Sequence, residues 1–118
     1  MIFEITPIGK PRMTQRDKWL KRPCVVRYRH FADMLRLLAK MKGYELVDGI
    51  DAIFVLPMPR SWSQKKKERM NGQPHVVKPD LDNIIKAFQD VLCKDDQKIH
   101  TYNCCKIYGY EGQIIIND

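Results

Sequence analysis

Residues 80–92 constrain this chain more than any other stretch. At 100° per residue, Leu81, Ile84, Ile85, Phe88, Val91 and Leu92 fall on one stripe, the signature of a helix with one face in a core. Asp82, Lys86, Gln89 and Cys93 fall together on a flank of the other side, and Asp80 sits at the helix entrance. Any fold available to the chain has to bury that stripe and leave that flank accessible.

The remaining segments read as short elements around this helix. Residues 1–8 alternate Ile2, Glu4 and Thr6 against Phe3, Ile5 and Pro7, which predicts a strand closed by Pro7 and Gly9. Residues 10–23 are basic, have no apolar period and carry Pro11 and Pro23. They predict a surface loop in which Trp19 either stacks on a base or caps the core edge. From 26 to 41, Phe31, Met34, Leu35, Leu38 and Met41 recur at helical spacing and Gly43 ends the pattern. Residues 46–58 predict a buried strand closed by Pro57 and Pro59. Residues 61–72 read as a short basic helix or loop with Trp62 as an anchor. Residues 99–108 and 113–116 predict a closing hairpin around Gly109 and Gly112. The order β-α-β-(α)-α-β-β predicts a mixed α/β, α+β fold. At 118 residues the chain is expected to form one domain over 1–118.

No apolar run approaches the roughly 20 residues that span a bilayer, and Met1-Ile2-Phe3-Glu4 meets a charge too early for a signal peptide. Cys24, Cys93, Cys104 and Cys105 include an adjacent pair but no C-x-x-C, and His30, His75 and His100 add no zinc-like spacing. These features predict reduced thiols in a cytoplasmic protein, with the histidines in structural places.

Charge is unevenly placed. The net +7 comes from 21 basic and 14 acidic residues. Residues 10–29 hold Lys10, Arg12, Arg16, Lys18, Lys21, Arg22, Arg27 and Arg29 against Asp17 alone. Residues 60–78 hold Arg60, Lys65, Lys66, Lys67, Arg69 and Lys78 against Glu68. Residues 80–96 then reverse sign, with Asp80, Asp82, Asp90, Asp95 and Asp96 against Lys86 and Lys94. A basic surface suits a polyanion, but carboxylates repel phosphate unless a cation neutralises them. A divalent ion does so and turns the repulsion into chemistry.

Local structure offers its own account of the acidic residues. Asp80 after Pro79 is a good helix cap, Asp82 complements the positive helix end, and Asp82 with Lys86 makes an i, i+4 ion pair. Asp95-Asp96 could be an ordinary polar turn. The functional account rests on their combination. Lys94-Asp95-Asp96-Gln97-Lys98 follows the helix and precedes a strand, so it turns back near its own helix end. Asp80, Asp82 and one of Asp95 and Asp96 would then supply the hard oxygen ligands that Mg²⁺ takes. Lys86 would stabilise charge developing on a phosphodiester. Lys10, Arg12, Arg16, Lys18, Lys65, Lys66, Lys67, Arg69 and Lys78 are the candidate phosphate contacts.

Lys78-Pro79-Asp80-Leu81-Asp82-Asn83, Lys86-Ala87, Asp90 and Asp95-Asp96-Gln97-Lys98-Ile99 resemble the RusA family of Holliday junction resolvases, small endonucleases of bacteria and their prophages. The likeness extends to Gly9-Lys10-Pro11-Arg12-Met13-Thr14, to the 28–38 helix and to the chain length. It implies a homodimer that binds four-way DNA junctions and nicks two symmetry-related strands with Mg²⁺ or Mn²⁺. It maps the family's metal-binding aspartates onto Asp80, Asp82 and Asp96, and its essential lysine onto Lys86. Only Val91-Leu92-Cys93-Lys94 separate Asp90 from the aspartate pair, fewer residues than is usual in the family. Asp95 therefore stays beside Asp96 as the third ligand, with Asp96 preferred.

Other readings use the same letters. Pro79-Asp80 with Asp96-Gln97-Lys98 spells a restriction-type nuclease pattern in which Lys98 is catalytic, but that fold puts both halves on neighbouring strands. A non-catalytic DNA-binding or regulatory protein would use the basic surface alone, and would leave the compact acidic set without a purpose. A protein-interaction module leaves both charge clusters unexplained.

Overall fold

The computed structural model describes residues 1–12, 14–18, 21–46, 49–93 and 99–117, with Lys18 described by its backbone alone. Its centre is β2 (Ile50–Pro57), where Ile50, Ala52, Phe54 and Leu56 are buried on one face at the two-residue period of a strand. β3 (Tyr102–Gly109) pairs with β2 in parallel and β4 (Gln113–Ile116) pairs with it antiparallel. β1 (Ile2–Phe3) adds to the far side of β4, giving the order β1-β4-β2-β3.

Two helices supply the other half of the core. α1 (Pro23–Lys42) contributes Phe31 and Leu35, and α3 (Leu81–Leu92) contributes Ile84, Ile85, Phe88 and Val91 from the predicted stripe. They join Phe3, Phe54 and Ile114 in one cluster. The Phe54 and Phe88 rings meet edge to face at 5.8 Å. Each such side chain, fully buried, stabilises the fold by about 1.5–3 kcal/mol. Between β2 and α3 lies the short α2 (Gln64–Met70), which buries none of its residues. Ser63 caps it by accepting a bond from the Lys66 N–H at 3.2 Å.

Among the described residues the element order is the predicted one, an α+β arrangement of three α-helices on a mixed sheet. Details differ: β2 begins at Ile50 and β3 at Tyr102, later than the predicted strands. β3 and β4 are not hairpin partners, because β2 lies between them. β3 returns parallel to β2 after the two-helix crossover, and residues 110–112 carry the chain across the end of β2 to its other side. Both glycines serve that crossing: a Cβ on Gly109 would lie 2.3 Å from Val55 Cγ1, and one on Gly112 would lie 2.2 Å from Thr6 Oγ1. The first strand stops at Phe3, where the Ile5 N–H turns back to the Phe3 carbonyl at 2.9 Å. α1 starts at Pro23, earlier than the apolar spacing indicated, since proline fits a first turn whose N–H groups have no helical acceptor.

Among the described residues no helix is long and apolar enough to cross a membrane. The four cysteines are free thiols.

Candidate active site

The path from α2 to α3 follows the outer edge of β3. Gly72 N–H bonds the Tyr108 carbonyl at 2.9 Å, Tyr108 N–H bonds Gln73 at 3.0 Å, and His75 N–H bonds the Lys106 carbonyl at 3.1 Å. Trp62 is the anchor its sequence position indicated: its ring lies 5.2 Å from that of Tyr108 and carries the Lys66 ammonium at 4.3 Å. His75 is buried, with its ring 4.7 Å from Tyr108 and no partner for Nδ1 among the described residues. Burial and then the nearby Lys106 charge hold its pKa below the usual histidine value. Farther on, the Lys106 ammonium donates to the carbonyls of Val77 at 2.5 Å and Pro79 at 2.7 Å. Asp80 follows at once.

Asp80 is the helix cap by position and backbone, with its carbonyl accepting from Ile84 N–H at 3.1 Å, yet its side chain makes no capping bond. Asp82 in the first turn and Lys86 one turn later are both exposed. They form no ion pair, and among the described residues none of the three side chains has a hydrogen-bonding or ionic partner. The two local roles open to these residues, cap and i, i+4 pair, are therefore not what the side chains do.

Two clefts flank this helix, and Lys86 borders both. A cleft of about 570 Å³ is lined by Leu81, Asp82, Ile85, Lys86, Gln89, Asp90 and Tyr102. Its Tyr102 is 55% exposed and donates to Gln89 Oε1 at 3.2 Å. The second cleft, about 400 Å³, is lined by Lys10, Pro11, Arg12, Asn83 and Lys86. Lys10 is docked there by its backbone N–H on the Asn83 carbonyl at 3.2 Å and by an ion pair to Asp90. Asp90 is thus neutralised, whereas Asp82 is not.

The basic segment before α1 has its own framework. Asp17, only 3% exposed, accepts from Arg22 Nε and Nη2 at 2.8 Å each and from the Thr14 N–H at 2.6 Å. Arg22 also reaches the Arg12 carbonyl, and Arg29 the Asp17 carbonyl, both at 2.8 Å. The Arg22 guanidinium holds the Asp17 carboxyl well below the usual carboxylate range. Arg22 and Arg29 are scaffold, then, and Arg12 is presented by them.

The structure brings Asp82 and Lys86 to one cleft and Lys10, Arg12 and Lys86 to the other. Asp80 is exposed at the helix start but lines neither. Lys65, Lys66, Lys67 and Arg69 lie on α2, Arg16 is exposed in the 3-10 turn Gln15–Lys18, and Lys78 is exposed beside Pro79. Asp95, Asp96 and Lys98 lie outside the described residues, as do Trp19 and the Lys18 side chain. Among the described residues no three His, Cys, Asp or Glu side chains gather to hold a metal. Sequence reasoning missed Tyr102 and Lys106, and quoted Asn83 within the motif without giving it a role. For Lys106 a signal existed: it occupies the inward register of β3 with Tyr102, Cys104 and Tyr108, opposite buried Phe54.

The sequence profile of the family described as endodeoxyribonuclease RusA matches residues 3–117. The chain belongs to the RusA family. It is thereby an endonuclease of the family that acts on Holliday junctions. The uncharacterized protein YqaN of Bacillus subtilis (strain 168) is 26% identical over 118 residues, covering 90% of this chain and 83% of YqaN. No solved structure matches the chain. The non-catalytic reading falls with the family assignment. The restriction-type reading loses its first strand, because Pro79-Asp80 opens a helix.

Proposed function

We propose that this RusA-family protein resolves four-way DNA junctions by paired, divalent-metal-dependent nicks, with Asp80, Asp82 and Asp96 (Asp95 the alternative) as ligands and Lys86 as the catalytic cation. One observation carries the reading: Asp80, Asp82 and Lys86 stand exposed and without partners among the described residues, on a helix whose other face is locked into the core.

The donors are hard carboxylate oxygens, which suit Mg²⁺ or Mn²⁺. When bound, such an ion polarises a phosphoryl oxygen and makes a water more acidic. The protein's own residues do the rest. Lys10, Arg12 and Asn83 line the cleft that receives a backbone phosphate, and Lys86 at its rim faces the charge that grows on the phosphoryl group undergoing attack. Arg16, Lys18, Lys65, Lys66, Lys67, Arg69 and Lys78 hold phosphates farther along the arms. A homodimer places two identical sites across a twofold axis, which matches two opposed strands. The unit is one domain over residues 1–118, working in the cytoplasm of a bacterium or as a phage product.

The test is a synthetic four-way junction beside a matched linear duplex, each with Mg²⁺ or with EDTA, and with Asp82→Asn alongside. Symmetric paired nicks on the junction alone, abolished by EDTA and by the substitution, are expected. Tight junction binding with no nick under Mg²⁺ or Mn²⁺ would overturn the reading.

A further inference from the structure

The residues that lead into α3 have little to hold them. Val76 is 82% exposed, Val77 is 56% exposed and Lys78 is exposed as well. Among the described residues, no N–H from 76 to 80 enters a backbone–backbone hydrogen bond, and Pro79 has none to offer. The strand-like pairing along β3 ends at His75. Yet this stretch, which packs against the rest of the chain where half-buried Pro79 meets Gly9, determines where Asp80 emerges and how α3 begins.

The missing support comes from the sheet. Lys106 lies opposite Phe54 on the face of the sheet that carries the core, a register that disfavours an ammonium unless it finds acceptors. It finds two, the carbonyls of Val77 and Pro79, which bracket Lys78 and end one residue before Asp80. Its own carbonyl accepts from His75 N–H. One residue of β3 therefore grips the incoming segment at both ends.

We infer that Lys106 is the positioning residue of the site: its ammonium clamps the Val77 and Pro79 carbonyls and so sets the direction in which Asp80 and Asp82 present their carboxylates. The inference rests on the metal-site reading above for its catalytic consequence, while the clamp itself is tested without it. A neutral side chain of similar length, Lys106→Met, releases both carbonyls. Lys106→Gln keeps a donor near them without the charge.

Three measurements on the intact chain bear on it. In hydrogen exchange, Lys106→Met should raise exchange at residues 84–86, the first hydrogen-bonded amides of α3, where Ile84 N–H bonds the Asp80 carbonyl, while α1 and β2 keep their protection. In titration with Mn²⁺ alone, without DNA, affinity should fall about 10- to 100-fold, as when a group orienting metal ligands is lost. In single-turnover cleavage of the junction, the maximal rate should fall with the half-saturating protein concentration nearly unchanged, and Lys106→Gln should lie between Lys106→Met and the wild type. Unchanged exchange at residues 84–86 in Lys106→Met would overturn the clamp, whatever the protein does to DNA. Faster exchange with Mn²⁺ affinity and the maximal single-turnover rate both at the wild-type level would overturn the positioning role. If Lys106→Met loses protection throughout the sheet, Lys106→Gln is decisive by the same criteria. Should the wild type bind Mn²⁺ and not cleave junctions, the proposed metal-dependent resolution fails on that result, and the exchange and Mn²⁺ arms still judge Lys106.

Discussion

Two charged regions meet at the front of this molecule and treat their charges in opposite ways. Before α1, the Asp17 carboxylate is buried, accepts from Arg22 and Thr14, and orders a basic turn whose Arg22 and Arg29 are occupied in doing so. At the start of α3, Asp80, Asp82 and Lys86 are exposed and hold no partner among the described residues, although a cap and an ion pair were within local reach. A buried charge needs partners. An exposed charge left without one keeps its full capacity for a ligand. The contrast separates charges that shape the fold from charges that face the substrate, a distinction that net charge conceals.

The sharpest way to break that contrast is at Lys86. Lys86→Met should lower junction cleavage by about 10²- to 10³-fold, the effect of losing one preorganised charge at a transition state, and leave the thermal midpoint alone. Lys98→Met should leave the single-turnover rate within a few-fold, and the reverse result would favour the restriction-type assignment. Next comes the outer footprint. Changing Lys65, Lys66 and Lys67 together to Gln should weaken junction binding and flatten the slope of log affinity against log salt by about 3 if all three touch phosphate. An unchanged slope, read by fluorescence anisotropy across salt concentrations, would remove α2 from the interface.

Arg22→Ala probes the other side of the comparison. It strands the Asp17 carboxylate, so thermal stability should fall and junction affinity should fall with it as Arg12 loses its anchor. Asp82→Asn should move stability by only about 0.5 kcal/mol, a helix-end effect. Equal melting losses in the two variants would erase the distinction.

The smallest effects concern pH. His75 is held below its usual pKa by burial and by Lys106, so its neutral form fits the fold. Stability should be level above about pH 6.5 and decline as pH falls, because the unfolded chain takes up the proton first. Asp17, also lowered, contributes stability that is present above about pH 4 and is lost on further acidification. Urea midpoints measured against pH should show both declines, and His75→Phe should remove the first while keeping the second.

The sequence by itself determined the helix of 81–92, the D-x-D-N-x-x-K string on its accessible side and the order of the elements. Each of these is written in residues a few positions apart, where helical and strand periods operate. Trp62 was legible for the same reason, as an aromatic residue in an otherwise polar stretch. Tertiary structure alone decided which strands pair, since β2 enters between β3 and β4 by virtue of a core face it shares with both helices. It also decided which charges are occupied. Asp90 is matched by Lys10 from the far end of the chain, Asp17 is buried under Arg22, and Lys106 turns inward to hold Val77 and Pro79. A side chain's type and spacing state what bonds it can make. Which one it does make depends on the groups that long-range packing brings within about 3 Å of it.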